Sequence, residues 1–154
     1  MKKQDTFKLY GELLCTVRDE KTGKIKRQYR YKNLIPTVGR TMIADNLTNS
    51  SPDNTPRVTH VALGDDATAV ANGDTTLTNE VYRNAVASET NSSNIAYFTG
   101  FFSATEDDDT YNEAGLFSDG TGSADTGILL SHVNISITKS LTESLTIDWT
   151  ITIS

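Results

Sequence analysis

The side chains in this chain that could do chemistry are few and scattered. His60, His132 and Cys15 are the only histidines and the only cysteine. Nucleophilic catalysis needs a nucleophile, a base and a group that orients the base. Both histidines fall inside segments patterned as strands, and no G-x-S-x-G elbow occurs, so hydrolysis is not expected. One cysteine and two distant histidines are also a thin ligand set for zinc. The carboxylates at Asp65, Asp66 and Asp74, and the EDDD run at 106–109, offer hard oxygen ligands of the kind calcium takes. They lack the spacing of a calcium loop and read as turn residues. Asn-x-Ser/Thr triplets at Asn46, Asn91 and Asn134 carry no meaning without a secretory signal. The expectation is a protein with no catalytic residues, no metal and no cofactor.

The composition supports a binding or structural role. The 154 residues are 36% hydrophobic and 22% charged, with a net charge of −6. A chain of this length buries enough surface to fold without staples. Its acidity argues against a nucleic-acid partner, because phosphate binding needs clustered Lys and Arg. The basic residues that do cluster lie between Lys21 and Lys32 (KTGKIKRQYRYK), where they suit the wet face of a hairpin or a contact with an acidic partner surface. Cys15 sits in an apolar run and reads as a buried, inert thiol. The N-terminus lacks the apolar core of a signal peptide, and no run is long enough for a transmembrane helix. A soluble protein made in a cytoplasm, with no membrane partner, is expected.

The elements that must position these residues are mostly strands. The chain is organised around residues 57–88, RVTHVALGDDATAVANGDTTLTNEVYRNAVAS. An alternating run over 58–63 ends at Gly64-Asp65-Asp66. A long polar loop, 67–78, passes through Asn72-Gly73-Asp74, and a second strand pattern resumes over 80–87. Glu80 and Arg83 are placed to pair and pin the loop's end, worth about 0–1 kcal/mol if exposed. Before this stretch, residues 7–17 and 24–31 alternate on either side of a turn at 19–23, which signals a hairpin within 1–32. Thr37, Val38, Met42, Ile43 and Leu47 follow helical spacing, so one short helix is expected over 37–47, weakened by Gly39.

After the stretch, 89–93 reads as a polar turn. Residues 94–104 (NIAYFTGFFSA) place Tyr97, Phe98, Phe101 and Phe102 on both sides of Gly100, which implies a strand covered on both faces or bulged at the glycine. A loop follows at 118–127. Residues 133–138 alternate, and the last strand alternates strictly from Leu145 through Trp149 to Ile153. The main strands occupy 57–154. The whole of 1–154 reads as a single mainly β domain: an antiparallel, jelly-roll-like β-sandwich of about eight strands with one short helix.

The order of segments KNLIPTVGRTMIADNLT, VTHVALGDDATAVANGDTTLTNEVYRNAVAS, NIAYFTGFFSA, NEAGLF and LTIDWTITIS resembles a group of small virion proteins of tailed bacteriophages. It is also similar to tail-collar fibre proteins, which share a G-x-G…L-x-x-E…R segment followed by E-x-G-L-F. Gly64-Asp65-Asp66 stands where that pattern often carries a second glycine. The resemblance spans about 32–154 and implies a non-enzymatic part of a virus particle, located in the virion.

Three functions are weighed. The first is a capsid decoration, or cement, protein bound to the major capsid protein lattice. The second is a tail, collar or fibre-attachment protein. The third is a small host-glycan-binding module, which requires the aromatic stretch 97–102 to be exposed. A homo-oligomer is expected, with many weak contacts multiplied by valency. The candidate partner contacts are Lys24, Lys26 and Arg27 of the hairpin, Asp65, Asp66, Asn72 and Asp74 of the first long loop, and Asp119 and Thr121 of the second.

Overall fold

The computed structural model describes residues 6–154. Nine strands and one helix occur among them: β1 (Leu9–Asp19), β2 (Ile25–Asn33), α1 (Thr37–Thr48), β3 (Val58–Gly64), β4 (Glu80–Ala85), β5 (Ser88–Ser92), β6 (Ile95–Phe102), β7 (Asp109–Ser118), β8 (Ile128–Lys139) and β9 (Glu143–Ile153). They form two antiparallel sheets, one of order β2-β1-β9-β6-β5 and one of order β4-β3-β7-β8. The sheets pack face to face as a β-sandwich.

Strict alternation places the core. The inward side chains of β9, Leu145, Ile147, Trp149 and Ile151, are buried against Val61, Leu116, Val133 and Ile135 of the second sheet. Such a core supplies most of the stability, at roughly 25 cal/mol per Å² of apolar surface removed from water. Gly100 of β6 sits inside it, where a Cβ would lie 2.9 Å from Val61 Cγ2. The glycine therefore lets the sheets approach. It marks no bulge, since the β6–β9 register runs unbroken from Ile95 to Phe102.

Both open sides of the sandwich are bridged. On one side, the Tyr31 hydroxyl donates to the Ser136 carbonyl and accepts from the Ser136 N–H, while Leu34 and His132 exchange backbone hydrogen bonds. On the other, Asn84 donates to the Phe101 carbonyl, and Tyr82 meets Phe102 edge to face. The helix α1 lies against β8, and Gly39 is what lets it do so. A Cβ there would stand 2.9 Å from the Leu130 carbonyl oxygen and 3.0 Å from that of Leu129.

A second, smaller apolar cluster lies on the outside of the four-stranded sheet. Ala62, Phe117 and Leu129 point outward and are covered by Leu77 from the β3–β4 connection and Val38 from α1. Residues 65–79 thus form a cover over this sheet. The expected polar turn at 89–93 is instead the edge strand β5, whose five residues are all exposed and which pairs with β6 from Ser88↔Thr99 to Ser92↔Ile95.

Candidate functional site

The loop over residues 65–79 is fixed to the four-stranded sheet by polar side chains that point outward from β7 and β8. His132 of β8 is clamped between two carboxylates. Its Nδ1 lies 2.8 Å from Asp74 Oδ2 and its Nε2 lies 2.8 Å from Glu113 Oε2. Glu113, fully buried, also accepts the N–H groups of Thr78 at 2.9 Å and Asn79 at 2.8 Å. Burial pushes the Glu113 carboxyl up, but His132 and the two N–H groups outweigh it, and the group is held below the usual carboxylate range. Asn134 accepts from the Val70 N–H and donates to the Thr68 carbonyl. These residues do fastening, and both ring nitrogens of His132 are occupied by it.

The sequence-predicted loop residues belong to this fastening. Asp65 accepts from the Asn79 side chain at 2.6 Å, and Asp66 closes a turn by accepting from the Thr68 N–H. Asn72 ties the loop to the start of α1, its carbonyl accepting from the Thr37 N–H and its Oδ1 from Arg40. Asp74 accepts from the Ala71 N–H as well as facing His132.

The second loop is held the same way. Glu80 and Arg83 form the expected pair, bidentate at 2.5 and 2.7 Å, with both side chains buried, so the small worth of an exposed pair does not apply. The Arg83 guanidinium donates to the carbonyls of Thr121 and Thr126 and stacks 4.5 Å over the Phe117 ring. Glu80 accepts from the Asp125 N–H. The pair therefore pins the β7–β8 connection. Asp119 accepts from the N–H and hydroxyl of Thr55, and Thr121 shares a hydroxyl contact with Thr126.

The hairpin cations divide into two groups. Lys26 and Arg27 converge on Glu143, which turns into β9: Lys26 Nζ is 2.5 Å from Oε1 and Arg27 Nη2 is 2.8 Å from Oε2. The hydrogen bond from Arg27, reinforced by Lys26 and the Ser140 N–H against the opposing effect of burial, brings the Glu143 carboxyl down to about 2. Lys24 stands exposed at the turn and makes no ion pair among the described residues. The EDDD run is tied down by a side chain that sequence reasoning did not single out. Lys139 is buried, and its ammonium donates to the carbonyls of Glu106 at 2.6 Å and Asp107 at 2.8 Å. A protein cation thus fills the carbonyl site nearest this run. Among the described residues no group of three or more His, Cys, Asp or Glu side chains is arranged to hold a metal ion. Cys15 is fully buried, and burial, with Asp148 nearby, pushes its thiol up to about 12.

Among the surfaces left open by these clusters, two carry several large exposed side chains. The first is an apolar cleft of about 590 Å³ where the N-terminal end of β1 meets α1, lined by Phe7, Leu9, Tyr10, Ile35, Ile43 and Leu47 among others. A second pocket of about 270 Å³ shares Phe7, Leu9, Ile35 and Ile43 and reaches inward to Phe98, Leu130 and Ile151. Leu47 is 81% exposed, Phe7 66% and Tyr10 54%. The second is the outer face of the five-stranded sheet. The aromatics of β6 divide there: Phe98 and Phe102 face the core, while Tyr97 and Phe101 face outward and are 39% and 42% exposed. The strand is therefore not covered on both faces.

The fold and these surfaces define a two-sheet antiparallel β-sandwich whose polar clusters fasten loops. Comparison with protein-family models, with curated proteins and with solved structures gave no match.

Proposed function

We propose that this chain is a non-enzymatic structural protein of a bacteriophage particle, acting as a capsid decoration protein bound to the lattice of the major capsid protein. The observation that supports a docking role is the exposed apolar cleft between β1 and α1. A monomer rarely leaves several large apolar side chains this open around one concavity, and such patches mark contact surfaces. The charged side chains among its lining residues are Lys8 and Arg40, and Arg40 is committed to Thr37 and Asn72. That lining suits an apolar side chain of a neighbouring subunit better than a reacting substrate. The sandwich supplies a rigid frame, because its long loops are bonded down by His132, Glu113 and Arg83. The phage assignment itself comes from the sequence resemblance over residues 32–154.

The test is the copy number of this chain relative to the major capsid protein in purified particles, by quantitative mass spectrometry. Hundreds of copies per particle are expected for a protein that covers the shell. A few to a few tens would move it to the tail, collar or fibres. Absence from particles would refute both.

A further inference from the structure

The outer face of the five-stranded sheet is uncovered among the described residues, and the strand register orders its side chains row by row. In the middle row, Thr99 of β6 stands opposite Asp148 of β9 and donates its hydroxyl proton to Asp148 Oδ1 at 3.0 Å. Two residues to either side along β6 are Tyr97 and Phe101. Four residues of strand set their rings about 13 Å apart. Across β9 and β1, about 14 Å from β6, the edge strand β2 carries Arg30 and Lys32 on this same face. Neither makes an ion pair among the described residues, although Glu12 of β1 stands opposite Lys32 on this face, whereas Lys26 and Arg27 are both taken up by Glu143.

We propose that this face binds an acidic glycan, an oligosaccharide bearing carboxylate or sulfate groups. The C–H faces of sugar rings pack on exposed aromatic rings, which Tyr97 and Phe101 supply. Sugar hydroxyls donate to acceptors, which the Asp148 carboxylate and the Thr99 oxygen supply between the rings. Acidic substituents need unpaired cations, which Arg30 and Lys32 supply along one edge. A protein partner fits this face less well. Its two rings are separated by a polar row, while protein interfaces bury a contiguous apolar centre, which the molecule carries in the cleft instead. A nucleic acid fits less well too, because two cations on one edge are too few to track a continuous phosphate backbone. The glycan site is independent of the particle reading.

The experiment is calorimetric titration of the whole chain with three probes: a heparin oligosaccharide, an alginate oligosaccharide and a neutral malto-oligosaccharide. Binding of at least one acidic probe, with none of the neutral one, is the expected result. The double variants Y97A/F101A and R30Q/K32Q should each weaken it roughly tenfold or more, about 1.4 kcal/mol, with the fold retained by circular dichroism. R30Q/K32Q keeps its melting temperature because both cations are exposed, whereas Y97A/F101A melts somewhat lower because its rings are 39% and 42% exposed. Three results would overturn the site. One is failure of both acidic probes. Another is binding that survives Y97A/F101A, which marks plain ion adsorption on β2. The third is loss of particle binding by Y97A/F101A without any glycan binding, which makes the face a protein interface.

Discussion

At the scale of single residues, the buried charged side chains among the described residues hold backbone in place. Glu143 shows it most directly. Its side chain is buried at the end of the β8–β9 turn and receives Lys26, Arg27 and the Ser140 N–H. A carboxyl whose folded pKa of about 2 lies below its ordinary 4.5 stabilises the fold fully above the ordinary value. That contribution is lost as the pH falls from 4.5 toward 2. Lys26 and Arg27 are each more than a third or about a third exposed, so solvent screens the pair and its worth is on the order of 1–2 kcal/mol, below what the shift alone would give. Glu143→Gln should lower the melting temperature at pH 7 and flatten its decline between pH 4.5 and 2. Parallel acid-unfolding curves for the two proteins, followed by circular dichroism, would show that the Glu143 contacts do not stabilise the fold. The Glu80–Arg83 pair illustrates what sequence could not convey. Their spacing signals a possible pair, but only the fold reveals that both side chains are buried under the 118–127 loop, with Arg83 resting on Phe117.

At the scale of elements, Gly39 separates propensity from packing. Glycine inside a helix is worth up to about 1 kcal/mol less than alanine, so sequence alone marks it as a weakness in α1. The structure gives the opposite sign. A Cβ at 39 would press on the backbone of β8, which cannot swing aside as a flexible side chain could. Gly39→Ala should therefore destabilise the protein by about 1–3 kcal/mol, as overpacking does, and a chemical denaturation midpoint measures it. A raised midpoint would mean that α1 does not seat on β8. The strands were legible wherever one face is buried and the other wet, as in β9, where Leu145 to Ile153 alternate with threonines and Asp148. The helix was legible from Val38, Met42 and Ile43. β5 was not, because Ser-Glu-Thr-Asn-Ser has no buried face and is a strand only through its pairing with β6. The fastening of the 65–79 loop was also hidden. His132, Glu113 and Asp74 are far apart in sequence and meet only once β7, β8 and the loop are stacked.

At the scale of the whole molecule, the sandwich is bridged along both sides and covered over its four-stranded sheet, which leaves two kinds of free surface. The cleft between β1 and α1 is concave and apolar. The outer face of the five-stranded sheet is largely polar, with Tyr97 and Phe101 on β6 and Arg30 and Lys32 on β2. Such different chemistry implies different partners, and the two surfaces should fail independently. Leu47 is largely exposed at the rim of the cleft, so Leu47→Asp should leave stability within about 0.5 kcal/mol of the parent. It places a charge where an apolar neighbour would have to bury it unpaired, at several kcal/mol. Under the proposed decoration role, particles reconstituted with the Leu47→Asp chain should carry far fewer copies, while acidic-glycan binding by that variant stays unchanged. Y97A/F101A should do the reverse, keeping its place on the particle and losing the glycan. Occupancy by quantitative mass spectrometry and affinity by titration, run on the same preparations, decide the matter. Joint loss in either variant would mean that the cleft and the sheet face serve one partner, and full occupancy by Leu47→Asp would remove the cleft from the docking surface.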